Sequence, residues 1–417
     1  MSIGIEYTTP RNPVRGRVWV TGAWWAVVSR FLVHGLVVST WVSRIPAIKD
    51  SIGLSDGALG FALLGCALGS LAGAPFSGWL VGRIGARRAC TWTSAAFCLA
   101  LISPTLARTG PQLFLALLVF GMVAGADDVA MNSEAVAHER ELGEPAMSRF
   151  HAMFSCGGIL GAGAGALLAR SGVAARTHIG LAAVLILAFS LAFASKLPSN
   201  LSQREFIPKA RLRLRHLSTP ILALSIIGFC IFLSEGAIAD WTAVYLKQVL
   251  RANPGTASAG YAVFSAAMFV FRLAGDRITS RLGWAWTIRG GALLAATGLS
   301  LMLLSPSAGW ALPGLAMAGA GYSSIIPVVF AAGGRVNPEN EGDGVATVSG
   351  LGYLGFLVGP PAIGGLSKLT SLRTGLCLVV VLGAIASVLV SVVQGARLMP
   401  RRKRTATTAL PACGPDA

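Results

Sequence analysis

Residues 178–219 read HIGLAAVLILAFSLAFASKLPSNLSQREFIPKARLRLRHLST, an apolar run followed by a strongly basic connection. The part 178–196 is as long and apolar as a helix must be to cross the hydrocarbon core, which takes about 20 residues. The part 197–219 carries Arg204, Lys209, Arg211, Arg213 and Arg215 and belongs in water. A membrane span running into a basic linker decides the environment of the chain. Reading outward from it decides the architecture. Five comparable runs precede it, at 20–42, 57–80, 90–108, 112–136 and 150–170. Six follow the linker, at 220–246, 257–275, 286–305, 310–332, 345–366 and 374–396. A barrel would need short alternating segments, whereas these runs are continuous, so helices must satisfy the backbone in lipid. The expected fold is therefore an all-α membrane protein of twelve transmembrane helices. The linker splits it into two pseudo-symmetric six-helix bundles, as a repeated unit would give. The expected divisions are an N-terminal segment 1–19, bundles 20–196 and 220–396, the linker 197–219 and a disordered tail 397–417.

Composition agrees with a lipid-covered exterior. Hydrophobic residues make up 54% of the 417 residues and charged residues 12%, against about 25% in soluble domains. The net charge of +17 would suggest nucleic acid in a soluble protein. Here Lys and Arg sit between the apolar runs, and no nucleic-acid-binding signature accompanies them. Alternate connections, starting with the N-terminus, hold about 24 of them and the opposite connections about 9. Both termini are thus expected in the cytoplasm. Arg11, Arg15, Arg17 and the tail around Arg401–Arg404 contribute to that bias. The seven cysteines form no CxxC pattern, six lie in apolar runs, and Cys413 falls in the tail. They read as small buried hydrophobes without a disulfide frame or metal site.

Two basic, glycine-bearing segments occupy equivalent places in the halves. After span 2 come Gly78-Trp79-Leu80-Val81-Gly82-Arg83-Ile84-Gly85-Ala86-Arg87-Arg88, and after span 8 come Arg272-Leu273-Ala274-Gly275-Asp276-Arg277, then Arg281 and Gly283. Glycines allow tight turns and close helix approach, and arginines can cap helix C-termini or pair with acids of the other bundle. Both segments are read as cytoplasmic gating loops, with a plain positive-inside loop as the open alternative.

Ionisable residues inside apolar helices are costly, at about 2.5–3.5 kcal/mol each on insertion scales, and mark pathways or partners. Span 4 contains Asp127, Asp128, Asn132 and Glu134. At 100° per residue Asp128 and Asn132 share one face, while Asp127 and Glu134 share another. Asp128 with Asn132 is the expected cavity pair, and a carboxyl there can carry a proton. Glu134 reads as structural. Span 1 holds Arg30 and His34 one turn apart. Arg30 could neutralise Asp127 or Asp128, bind an anionic group of a substrate, or snorkel to the surface. Span 7 offers Glu235, with Asp240 nearer its end and Trp241 and Tyr245 placed to stack on a ring or sit in an aromatic belt. Span 10 adds Tyr322, Ser323 and Ser324. Small and proline residues at 155–165, 319–327 and 352–361 suit close packing and kinks.

These features together resemble the major facilitator superfamily, and more narrowly a bacterial inner-membrane branch of L-fucose permease-like and rhizopine-locus membrane proteins. The resemblance rests on the Gly78–Arg88 segment, on Trp41–Pro46 (WVSRIP) after span 1, on the span-4 run ending in Glu134, and on Arg140-Glu141. His151 with Phe154-Ser155, Glu235-Gly236-Ala237, Asp240-Trp241 and the Gly352–Pro361 run complete it. Where the family's segment after span 2 carries an acid, this chain has Gly82. In sugar-permease members a span-4 carboxyl at the place of Asp128 takes part in proton coupling, four residues before an Asn matching Asn132. Such permeases carry a second working acid in span 1, where this chain has Arg30 and His34, so substrate and stoichiometry do not carry over.

The implied function is secondary transport of a small organic solute, sugar-like or otherwise polar, by alternating access with a proton as the coupled ion. Proton-coupled efflux of small organic molecules or drugs is the alternative, since export uses the same parts. A receptor on a transporter scaffold would lack flux and usually adds a signalling domain. No hydrolase, zinc-protease or P-loop motif occurs, so the expectation is a transporter and not an enzyme, with no cofactor or metal. The expected partners are the solute, the proton and the lipid bilayer, with no nucleic acid and a monomeric assembly.

Overall fold

The computed structural model describes residues 22–142, 146–197, 218–336 and 341–396. The basic residues at 1–19, most of the linker, the tail and Cys413 lie outside these, as does the side chain of Arg140. The helices are α1 (Gly22–Ile52), α2 (Asp56–Ile84), α3 (Ala86–Ala100), α4 (Gly110–Leu142), α5 (Met147–Arg170), α6 (Ala175–Ala194) and α7 (Thr219–Gln248). They continue with α8 (Pro254–Leu282), α9 (Trp284–Leu304), α10 (Ala308–Tyr322), α11 (Ile325–Val336), α12 (Glu341–Leu369) and α13 (Leu372–Ala396). A short 3₁₀ turn, Ser103–Leu106, lengthens the third span, and α10 with α11 makes the tenth. Among the described residues, twelve spans are long and apolar enough to cross a membrane.

The packing repeats six spans on. In the first half α2 packs on α4, α1 on α5 and α6, and α3 on α4 and α6. The second half answers with α8 on α10, α7 on α12 and α13, and α9 on α10 and α13. The halves meet along α2–α12, α5–α8 and α1–α7, pairs that exchange under the same repeat. Helix ends repeat as well. Gly85 (φ 83°) closes α2 by donating to the Val81 carbonyl at 3.0 Å, and Gly283 (φ 80°) closes α8 by donating to Thr279 at 2.9 Å. Only glycine takes that backbone conformation without strain, so each helix ends where its glycine stands. This corrects the reading of the two basic segments as loops. Gly78–Ile84 and Arg272–Leu282 are the final turns of α2 and α8.

A second correction concerns α1, which runs ten residues beyond its expected end and includes Trp41–Pro46. The charges that suggest an end are consumed inside the bundle. Arg44 Nε donates to His178 Nδ1 of α6 at 2.9 Å, and Lys49 pairs with Asp56 at 2.9 Å. The tenth span breaks for a covalent reason. Pro327 has no N–H to return to the carbonyl four residues earlier, Ser323, and the helix interrupts at Ser323-Ser324.

Backbones approach most closely between α2 and α4. A Cβ at Gly69, Gly73, Gly121 or Gly125 would collide with a carbonyl of the facing helix, Cys66 being the one met by Gly121. With lipid as apolar as the side chains, such packing is a main cohesive force between spans. Gly121→Leu is expected to cost about 1–3 kcal/mol, read as a lowered unfolding midpoint in detergent. A midpoint equal to wild type would contradict this packing.

Candidate functional site

The α4 acids divide by face. Asp127 has no exposed surface and is held by its own bundle: Thr93 and Ser94 of α3 donate to Oδ1 at 3.0 and 2.7 Å, and His34 Nδ1 of α1 lies 2.9 Å from Oδ2. Every short contact of this carboxylate is thus supplied from within the first half. Asp128 is half-buried, and among the described residues its side-chain hydrogen bond stays on its own helix, where Asn132 Nδ2 donates to its carbonyl (2.8 Å) and to Oδ1 (3.1 Å), with His34 of α1 an electrostatic neighbour. Across from it stands Tyr353 of α12, an electrostatic neighbour of both Asp128 and Glu235. Tyr353 is 47% exposed although it lies among these groups, which locates an open cleft between the bundles.

The second half contributes Glu235, Arg272, Tyr261 and Tyr322. Glu235 of α7 is half-buried, its Oε1 has no hydrogen-bond partner, and Arg272, Tyr261 and Tyr322 are its electrostatic neighbours. Arg272 Nε donates to the Ser323 carbonyl at 3.2 Å, the carbonyl that Pro327 leaves without a helical donor. Its Nη1 crosses to the other bundle and donates to Ser155 Oγ of α5 at 3.3 Å. His151, which stands edge-on to Phe31 (5.1 Å), is a further electrostatic neighbour of both Arg272 and His34.

Other residues singled out in the sequence lie elsewhere. Arg30 is fully buried and donates from Nη1 and Nη2 to the Ser190 hydroxyl (2.6 Å) and carbonyl (2.8 Å), tying α1 to α6. Glu134 is also fully buried, neither carboxyl oxygen has a hydrogen-bond partner among the described residues, and Arg30 and Arg87 are its positive electrostatic neighbours. Trp241 and Tyr322 have no exposed surface in this conformation, and the Trp241 indole nitrogen is without a partner among the described residues. Tyr245, equally buried, donates to the Leu303 carbonyl at 3.1 Å. The first basic segment binds within its own half: Arg83 stacks on Trp79 at 4.8 Å and Arg87 donates to the Ser195 carbonyl at 2.8 Å. Gly78, Gly82 and Gly85 face open space, and Arg88, Asp276, Arg277 and Arg281 are exposed.

Contacts between the halves concentrate at the other end, beside the α1–α2 turn. Gly60 and Gly364 approach so closely that a Cβ on Gly60 would stand 2.6 Å from the Pro360 carbonyl. Ser258 of α8 donates to the Ser43 carbonyl of α1 at 2.7 Å, and Lys247 of α7 pairs with Asp50 of α1. The cleft is therefore sealed at the end holding the α1–α2 turn. Sequence reasoning does not single out Arg272, Tyr353 and His151 as neighbours of the ionisable residues within the spans. It assigns Arg272 to a loop, and a lone Tyr in a glycine-rich helix is the only signal for Tyr353.

Twelve spans in two repeated halves, enclosing a cleft lined by acids, an arginine and tyrosines, define a membrane transporter and not an enzyme. Residues 26–342 match the profile of the Major Facilitator Superfamily, and the chain belongs to that family. It is 35% identical to an uncharacterised MFS-type transporter of Yersinia pestis over 371 residues, covering 89% of this chain and 94% of that one. Membrane protein MosC of Rhizobium meliloti is 31% identical over 363 residues, covering 87% and 88%. Among solved structures, the nucleoside transporter NupG superposes with a TM-score of 0.66 at 13% identity, over 90% of this chain and 98% of that one. A D-xylose-proton symporter gives 0.68 at 15% identity, over 88% and 95%. Family and fold together make the chain a multi-pass transporter of small solutes.

Proposed function

We propose that the protein imports a small polar solute together with a proton by alternating access, with Asp128 as the proton carrier. The observation that carries this reading is the contrast within α4. Asp127 is saturated by donors from its own bundle, while Asp128 faces the cleft with one side-chain partner, Asn132, on its own helix. A carboxyl so placed exchanges protons with water in the cleft and senses a solute lying between Tyr353 and Glu235. Proton symport by the xylose carrier of the same fold and the polar lining both support import of a polar compound.

The bias of Lys and Arg supports placing the termini, and the α2–α3 and α8–α9 turns, on the cytoplasmic side, and the bacterial relatives support an inner-membrane location. The conformation, sealed beside the α1–α2 turn, is then the inward-facing one. Beyond Arg272, the described residues of the basic ends of α2 and α8 hold no hydrogen bond across the halves here and would meet the opposite bundle when the cleft closes inward. Proteoliposomes with an imposed inward proton gradient test the reading: a polar solute should accumulate above its outside concentration, and an uncoupler should release it. Accumulation that ignores the gradient would exclude proton coupling.

A further inference from the structure

The proposed function leaves the solute's charge open, and Arg272 bears on it. A guanidinium has five N–H donors in a planar fork. Arg272 uses Nε on the Ser323 carbonyl and Nη1 on the Ser155 hydroxyl, at 3.2 and 3.3 Å, both long and both to neutral acceptors. It forms no ion pair among the described residues. Glu235 is its electrostatic neighbour and holds an oxygen with no hydrogen bond among the described residues, so the two groups sit near each other without joining. The anchoring follows from sequence. Pro327 frees the Ser323 carbonyl, that carbonyl captures Nε, and the opposite edge of the fork is left turned toward the N-terminal bundle at Ser155. A guanidinium kept inside a membrane protein with spare donors, fixed in direction and spanning both halves, is suited to a carboxylate.

We infer that the transported solute is a small hydroxylated monoanion whose carboxylate is received by the free edge of Arg272, between Ser155 and Glu235. Its hydroxyl groups reach Tyr353, Asn132 and the Asp128 side of the cleft. This rests on the proposed proton symport and adds a consequence to it. The proton entering on Asp128 offsets the charge entering on the solute, so the loaded cleft carries the same net charge as the empty one. Transport is then electroneutral, driven by the pH difference and indifferent to the membrane potential. A neutral sugar moving with a proton would carry one positive charge, and its gradient would change roughly 50-fold per 100 mV.

The test uses the full-length protein in proteoliposomes with gluconate and glucuronate as probes and glucitol and glucose as their neutral counterparts. A pH step and a potassium–valinomycin potential are imposed separately. The expected result is accumulation of the acids with the pH step and less than a twofold change of their plateau with 100 mV. Accumulation of the neutral compounds, raised many-fold by the potential, would overturn the inference and leave proton-coupled import standing. Driven flux of neither class would remove the import reading together with it. Arg272→Gln should lower kcat/KM for the acids by roughly 10- to 100-fold, with Arg272→Lys intermediate. Because Nε also ties down the broken tenth span, Ser155→Ala supplies an independent arm. It leaves that tie intact and should raise KM severalfold at unchanged kcat. Unaltered kinetics in Ser155→Ala and Arg272→Lys together would show that the guanidinium does not position the solute.

Discussion

Asp128→Asn is expected to reduce gradient-driven accumulation to equilibration while leaving solute exchange across the bilayer intact. One proton moving down a pH difference of about 2.5 units supplies about 3.4 kcal/mol, enough to sustain a solute ratio of roughly 300-fold. Asparagine is nearly isosteric with aspartic acid and keeps a hydrogen-bonding amide beside Asn132, so the cleft retains its shape and can still bind and rock. What it lacks is a site that loads and unloads a proton in each cycle. Counterflow of labelled against unlabelled solute should therefore persist within a few-fold of wild type, and uphill uptake should vanish. Full accumulation by the variant would remove Asp128 as carrier and direct attention to Glu235, whose buried Oε1 has no hydrogen-bond partner among the described residues.

The twelve spans are legible because continuous apolarity over about 20 residues is a property of each segment alone and needs no knowledge of its neighbours. Boundaries fail where charge is satisfied internally. Arg44 and Lys49 look like an exit from the membrane, yet His178 and Asp56 hold them within or beside the bundle. Arg272 reads as a loop residue for the same reason, because the first arginine after an apolar run usually marks the surface. The helix α8 instead continues to Leu282 and stops at Gly283, and the residue that explains Arg272, Pro327, lies on another span. Helical periodicity separates the Asp127 face from the Asp128 face, but not which of them faces neighbouring helices. Arg30 invites pairing with the span-4 acids, whereas its partner is a serine on α6, a contact between residues 160 apart in sequence. Trp241 and Tyr322 are legible as polar-tipped rings on spans 7 and 10, but their complete burial depends on how α7, α9 and α10 close around them in this conformation.

Asp127→Leu, one residue from Asp128, is expected to fail in the opposite way, by losing the fold and not the coupling. The substitution strips His34 Nδ1, the Thr93 hydroxyl and the Ser94 hydroxyl of one shared acceptor in a site without exposed surface. Leaving buried hydrogen-bonding groups unmet costs about 1–3 kcal/mol per group. If that is the cause, removing His34 as well should recover part of the loss, because fewer buried donors then go unmet. The cycle of Asp127→Leu, His34→Leu and the double variant, followed by unfolding in mixed micelles, should show a coupling of about 1–3 kcal/mol. Additive losses would mean that His34 and Asp127 are stabilised separately, and the 2.9 Å contact between α1 and α4 would carry no cohesive role. Coupling with wild-type counterflow in Asp127→Asn would assign the two acids different work: Asp127 holds α1, α3 and α4 in register, and that rigidity keeps Asp128 aimed at the cleft through the rocking of the bundle.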